Sequence, residues 1–385
     1  VQRTDLPEKE SRLGEMRPTR VEIDLCAIKS NLKAIRTWTK TRIMMAIKAD
    51  AYGHGARVVG RFVQENNLVD MLGVSCIEEG ITLREAGVSL PILVFGLMSN
   101  SREDCDMIFH HHLTPTLVDE SHIATLVDGA RRWDHTLSVH VKTDTGMGRL
   151  GLQPSETLNL LEKIAAIKEL SLSGVYTHFP VSDVPDHPFT ADQIAKFNRF
   201  LNAMTTLGIK PELCHSANSG AILNHRDSYL DMVRPGILCY GLSPCEQGTG
   251  ELSVTPAMTL KTAIMFTKKV KKGTGLSYGL TYKAQKDTCI ATIPIGYADG
   301  YPRSMSNTAS VLINGRTYPV AGRVCMDQSL IDLGDDFFPV GQEVTIFGKE
   351  QITAQNLAAW GNTIPYEVTC NMSRRVPRTY SNERQ

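Results

Sequence analysis

The chain has 385 residues, 42% of them hydrophobic and 21% charged, and its 41 basic and 41 acidic residues cancel to a formal net charge of zero. That length holds a large globular domain plus a smaller one, and the neutral balance gives no electrostatic support for binding nucleic acid or an anionic membrane. The longest apolar run, 90–98, is too short to span a bilayer, which excludes an integral helical membrane protein.

Residues 1–19 are charged and lack the apolar core of a signal peptide, so they read as a loosely ordered tail, and Val1 in place of an initiator Met suggests trimming. The run 21–25 alternates. It either heads a region extending from 20 to 254 or joins the sheet of a later β domain. From 43 onward short β-rich runs alternate with helical patterns. The expected strands are 43–47, 71–74, 92–95, 114–117, 137–142, 172–176, 213–215 and 232–234. Amphipathic stretches at 56–65, 78–86, 155–167 and 190–207 lie between them. Eight such alternations predict an α/β fold with an N-terminal (β/α)8 TIM-type barrel, with a doubly wound open sheet as the alternative.

Beyond 255 the texture changes to alternating runs at 260–266, 289–294, 310–313, 329–333 and 343–347. Asn314-Gly315 between Val311-Leu312-Ile313 and the run 316–320 signals a tight hairpin. Residues 255–385 are therefore expected to form a mainly-β C-terminal domain. Nine cysteines, an odd number with no C-x-x-C pair, favour reduced thiols in a cytoplasmic protein. The run His110-His111-His112 lacks further ligands at regular spacing, so it reads as a solvated helix end and no metal is expected.

The chemically suggestive residues fall at the C-terminal ends of the expected strands. Lys48 follows the first, with Tyr52, Gly53 and Gly55 behind it. An amine with apolar neighbours loses its ammonium form more readily and becomes a nucleophile toward an aldehyde. Lys142 and Arg149 follow the fifth strand, His178 the sixth, His215 to Ser219 and Gly220 the seventh, and Arg234, Gly236 and Ile237 the eighth. In a barrel these ends share one face, and the loops after strands seven and eight are the usual phosphate cradle. An amine, a phosphate seat and an arginine on one face suggest pyridoxal phosphate.

Ordered motifs then identify a relationship: AIKADAYGHGA at 46–56, KTDTGMGRLG at 142–151, YTHF at 176–179, HSANSGA at 215–221 and VRPGI at 233–237. SYGLTY at 277–282, PIGYADGYPR at 294–303, GRVCMDQ at 322–328 and PYEVTCNMSRRVPRTY at 365–380 complete them. From about residue 20 to 380 the chain resembles alanine racemase, a fold-type III pyridoxal-phosphate enzyme. The resemblance implies that Lys48 attaches the cofactor and that Tyr52, Ser219, Gly236, Ile237 and Tyr366 hold its phosphate. It implies that Arg234 faces the pyridine nitrogen and that His178 lies alongside the ring. Arg149 and the Met326 backbone would receive the substrate carboxylate, and Lys142 matches a position carbamylated in many members.

Racemisation needs proton removal on one face of Cα and return on the other, and the resemblance gives Lys48 and Tyr278 those roles. Tyrosine ordinarily titrates near 10, so it needs positive charge nearby to act as a base. The resemblance further implies a homodimer with composite sites and D-alanine supply for peptidoglycan. A serine or broader-specificity racemase, a decarboxylase of the same fold type and a non-catalytic carrier of the cofactor are the other readings.

Overall fold

A parallel strand cannot follow its predecessor without a crossover, so alternating strands and helices build a sheet in which each helix returns the chain. The computed structural model describes residues 17–382, and of the tail expected over 1–19, residues 1–16 lie outside the described residues. Residues 17–19 are not loose, since Arg17 binds Asp299 and the buried Thr19 hydroxyl donates to the Pro294 carbonyl at 2.7 Å. After β1 (Arg20–Asp24) come β2 (Arg42–Ala46), β3 (Met71–Val74), β4 (Ile92–Val94), β5 (Thr114–Leu117), β6 (Leu137–Lys142), β7 (Leu170–Tyr176), β8 (Leu213–His215) and β9 (Met232–Val233). Strands β2 to β9 pair in parallel in sequence order, and β9 pairs back onto β2. That closure makes the sheet a barrel and removes the open-sheet alternative.

Every residue of β3 and β4 is buried, because lumen side chains cover one face and helices the other. The returning helices show the complementary 3.6-residue pattern: Ala56, Val59, Gly60 and Val63 are the buried residues of Ala56–Glu65. Within the barrel, Met44, Met71, Leu93, Tyr176, Leu213 and Met232 form one apolar cluster. His140, Lys142, His215 and Arg234 are buried as well, so part of the interior is polar.

Residues Ile28–Val254 form one compact unit, and 17–27 with 255–382 form a second. The second holds β10 (Met258–Ala263), β11 (Phe266–Val270), β12 (Gly275–Leu276), β13 (Tyr282–Lys283), β14 (Thr288–Ile293), β15 (Ser310–Ile313), β16 (Arg316–Pro319), β17 (Ser329–Gly334), β18 (Glu343–Phe347) and β19 (Arg378–Ser381). Strand β1 pairs antiparallel with β10 and parallel with β19, in a six-stranded sheet of order β16-β15-β18-β10-β1-β19. It stops at Asp24, because the Asp24 Oδ1 accepts the Ala27 amide at 2.9 Å and starts the helix Leu25–Thr39.

The run expected as one strand over 260–266 is two. Ile264 donates to the Gln342 carbonyl at 3.0 Å and Met265 to that of Thr292 at 2.9 Å, so the chain changes partner there. It leaves the six-stranded sheet and enters a three-stranded one, β11-β14-β17. The Asn314-Gly315 turn joins β15 to β16 with positive φ at both residues (47° and 77°), as a type I′ hairpin requires.

A buried carboxylate ties the ends of this second unit together. Asp299 is fully buried and accepts from Arg17 at 2.6 and 2.8 Å, from Arg375 at 2.7 Å and from the Gly296 amide at 3.0 Å. Burial opposes its ionisation, but the two guanidinium groups and the amide outweigh it and hold the carboxyl below its ordinary value of 3.8. A depressed folded value stabilises the fold fully above that ordinary value, and the contribution fades as pH falls through the depressed one. Asp299→Ala should cost about 3 kcal/mol, read by denaturant unfolding at neutral pH. The difference from the parent should shrink in acid.

Candidate active site

The residue after β2 is Ile47, and Lys48 opens a tight turn of unusual hand. Ala49, Asp50, Ala51 and Tyr52 all have φ of 52–58°, a left-handed turn built without glycine. Each such residue costs roughly 1–2 kcal/mol in a left-handed helical conformation, so the surroundings must enforce it. Ala51 donates to the Ile47 carbonyl, Gly53 to that of Ala49 and Gly55 to that of Asp50, each at 2.9 Å. Glu79 accepts the amides of Ala49 and Ser75, both at 2.7 Å. The Asp50 carboxylate accepts the Ala56 amide at 2.7 Å, the first residue of the next helix.

Tyr52 is braced from behind. Its ring lies 5.0 Å from that of Tyr240, whose other neighbour is the His54 ring at 4.5 Å. The Tyr240 hydroxyl donates to the Ala46 carbonyl at 3.0 Å. A Cβ placed on Gly236 would fall 2.3 Å from the Tyr52 hydroxyl oxygen, so only glycine lets this backbone approach it. The Gly236 amide in turn donates to the Ser219 hydroxyl at 2.9 Å. Two hydroxyls and the backbone at Gly236 and Ile237 thus meet at the ends of β8 and β9. This is a donor set suited to a phosphate.

Arg234 is buried beside this cradle. Its guanidinium donates to the His215 Nδ1 at 2.8 Å, the Thr177 carbonyl at 2.7 Å and the Ser216 carbonyl at 3.0 Å, with the His178 Nδ1 at 3.4 Å. Among the described residues no carboxylate forms an ion pair with it. Burial lowers its pKa to about 10, which leaves it charged at neutral pH. Lys142, at the end of β6, is buried 5.9 Å from the centre of the Tyr176 ring. Burial and then the charges of Arg149 and Arg234 bring its ammonium down to about 8. Burial and the same cations push the His178 imidazolium well below its usual range.

The barrel unit therefore brings together Lys48, Tyr52, Lys142, His178, Ser219, Arg234, Gly236 and Ile237, with Arg149 exposed on the loop after β6. Tyr278, Met326 and Tyr366 belong to the other unit. Tyr278 is 70% exposed and follows Ser277, whose φ of 59° and ψ of −176° fall in a region used almost only by glycine. The Ser277 hydroxyl donates to the Arg323 carbonyl at 2.6 Å and holds that backbone in place. Ser277, Tyr278, Cys325, Gln328 and Leu330 line a cavity of about 340 Å³. Tyr366 lies on the separate helix Pro365–Cys370.

Asp50, Glu79, His140, His215 and Tyr240 support this site, and of these only His215, at the head of the segment after the seventh strand, stood among the chemically suggestive residues of the sequence. His215 and Asp50 lie inside the quoted motifs, whereas Glu79, His140 and Tyr240 reach the site through tertiary contact alone. Among the described residues no group of three or more His, Cys, Asp or Glu is arranged to hold a metal ion, and all nine cysteines are free thiols.

The strained turn gives a signed expectation. Ala49 is exposed, so Ala49→Gly removes little contact and should stabilise the fold by about 1 kcal/mol in urea unfolding. Ala49→Val should destabilise it.

Known proteins share this architecture throughout. Residues 23–244 match the model of the alanine racemase N-terminal domain and residues 257–380 that of its C-terminal domain. The alanine racemase of Halothermothrix orenii is 40% identical over 373 residues, spanning 95% of this chain and 98% of that protein. Among solved structures, the alanine racemase of the D-cycloserine producer Streptomyces lavendulae aligns with a TM-score of 0.91 at 33% identity, covering 95% of this chain and 98% of the other. That of Bacillus anthracis with bound L-Ala-P aligns at 0.87 and 34%, covering 95% of each. The chain belongs to the alanine racemase family of pyridoxal-phosphate-dependent isomerases.

Proposed function

We propose that this chain interconverts L-alanine and D-alanine, with Lys48 and Tyr278 handling the α-proton on opposite faces of the substrate. The observation that carries the reading is Arg234, a buried cation held by neutral acceptors beside a cradle of Tyr52, Ser219 and Gly236. That cradle and that cation fit the phosphate and the ring of pyridoxal phosphate. When bound, the cofactor withdraws electrons from the α-carbon of an attached amino acid and so acidifies the α-hydrogen.

The residues divide the remaining work. Tyr52, Ser219 and the amides of Gly236 and Ile237 hold the phosphate, with Tyr366 as a further hydroxyl. Arg234 addresses the ring nitrogen and, as a permanent donor, keeps that nitrogen unprotonated, which disfavours diversion to transamination. His178 lines the ring. Arg149 and the Met326 backbone orient the substrate carboxylate. The Lys48 amine takes or returns the proton on one face, and the Tyr278 hydroxyl does so on the other.

The second group is proposed to come from a partner copy in a homodimer with composite sites. Tyr278, Leu280, Met326 and Ile364 are all large side chains with more than half their surface exposed, a combination that fits a covered interface. We also assign the protein to the cytoplasm and to D-alanine supply for peptidoglycan. Its free thiols suit a reducing compartment, and among the described residues no helix is long and apolar enough to cross a membrane.

Two measurements test the reading. Tyr278→Phe should lower exchange of the α-hydrogen of L-alanine in heavy water by about 100-fold or more, followed by proton NMR. Retained exchange removes Tyr278 from the chemistry, and racemisation of L-serine without L-alanine would replace the substrate. Lys142, with its ammonium brought down to about 8, is largely reactive as the free amine in mild alkali. Carbon-13 carbon dioxide should therefore give a carbamate resonance that fades as pH falls below about 8 and is absent from Lys142→Arg.

A further inference from the structure

Behind Arg234, inside the barrel, lies a second layer that the proposed chemistry does not use. The His215 ring accepts from Arg234 at its Nδ1, at 2.8 Å, and its Nε2 stands 3.1 Å from the Nδ1 of His140. Both imidazoles are buried, with exposures of 0% and 1%. A guanidinium only donates, so the His215 Nδ1 carries no hydrogen and its proton sits on Nε2. That N–H then points at the His140 Nδ1, which must be the acceptor, leaving the His140 proton on its own Nε2. One hydrogen-bond direction runs from Arg234 to His215, and His140 closes it.

The fold has made room for this arrangement at two independent places. The β6–β7 register shifts between Val139 and His140, an irregularity of the kind that re-aims a side chain. Opposite it stands Gly174, where a Cβ would fall 2.5 Å from the His140 ring. The His215 ring is fixed in turn by stacking on Tyr176 at 4.9 Å and 10°, and the Tyr176 hydroxyl shares a hydrogen with Thr116 at 2.9 Å.

We propose that His140 is a positioning residue for Arg234, acting through His215 as a two-histidine relay with a single allowed tautomer. The relay holds the guanidinium in one orientation without giving it a counter-charge. Burial first, and the Arg234 charge second, bring His140 down to about 3 and His215 well below its usual range, so both rings stay neutral. A protonated His215 would aim an N–H at the guanidinium and set two cations side by side. A carboxylate in the same place would hold Arg234 equally well but cancel the charge it presents to the site.

This inference rests on the reading that Arg234 addresses the ring nitrogen of the cofactor, and the test separates the two. Nitrogen-15 histidine NMR of the wild-type full-length holoenzyme should show His215 protonated at Nε2 only, unchanged from about pH 6 to pH 9. A His215 protonated at Nδ1 would overturn the relay, whatever the catalytic role of Arg234.

His140→Leu should lower kcat by about tenfold with KM for alanine little changed. It should also raise pyruvate released per racemisation event and shift the nitrogen-15 resonance of the His215 Nε2, whose N–H loses its acceptor. His140→Asn, which keeps an acceptor near the Nδ1 position, should restore all three readouts toward wild type. Gly174→Ala, which displaces the His140 ring, should reproduce the leucine phenotype if the leucine variant does not fold. Arg234→Glu should raise pyruvate release by itself. An increase there with none in His140→Leu or Gly174→Ala overturns the relay alone. No increase in Arg234→Glu overturns the assignment of Arg234, and the relay with it.

Discussion

The Arg234 guanidinium is buried at the end of β9 against two carbonyls and an imidazole nitrogen, and no described carboxylate forms an ion pair with it. Taking a cation out of water without a counter-ion costs several kcal/mol even after relaxation. Charge-assisted bonds to neutral acceptors recover about 1.5–3 kcal/mol each, so the position is affordable but never indifferent. What remains is a positive potential that the neighbours register. Burial first and then this cation move His140, His178 and His215 toward their neutral forms, and burial, Arg149 and then this cation do the same to Lys142. The same charge thereby adds to burial in disfavouring a second cation at each of these groups.

The backbone shows the same economy of placement. A left-handed turn of four non-glycine residues carries strain that no single contact relieves, and the fold meets it with hydrogen bonds from several directions. Glu79 holds the turn from the first turn of the helix Ile77–Glu85 that follows β3, and the Asp50 carboxylate caps the next helix rather than facing the site. The turn sets Lys48 immediately after β2 while sending Tyr52 back to meet Gly236. An ordinary right-handed turn would place the amine and the phenol differently, so the strain is bound up with the geometry of the cradle.

Much of this was legible in the sequence because two periodicities and a few punctuating residues determine it. The barrel strands stand out as short apolar runs buried on both faces, and the Asn314-Gly315 hairpin as a turn with two positive φ angles. The partner change at Ile264–Met265 was not legible, since it falls inside the apolar run 263–266, which carries no sign of which sheet each half joins. Strand β19 escaped for a related reason: Arg378–Ser381 is polar and gains its pairing only from β1, more than 350 residues earlier. His140 read as an ordinary strand residue. Its meaning depends on Gly174, on the register shift at Val139 and on a ring in β8. Site residues that touch a ligand leave motifs, whereas those that support them are found by packing.

Charge also explains why a chain with no net charge is suited to anionic ligands. Its 41 basic and 41 acidic residues balance over the chain as a whole, but the groups around Arg234 do not share that balance. Arg234 keeps its charge there, Arg149 stands on the adjoining loop, and the lysine and histidines between them are driven toward neutrality rather than paired with acids. A group bringing a phosphate and then a carboxylate completes the electrostatics of such a site, whereas a cationic substrate would meet the same field as repulsion. On the proposed reading, selection for a small amino acid begins with this local imbalance. The shape of the pocket then refines it, and a single methylene contributes only about 1–3 kcal/mol of discrimination.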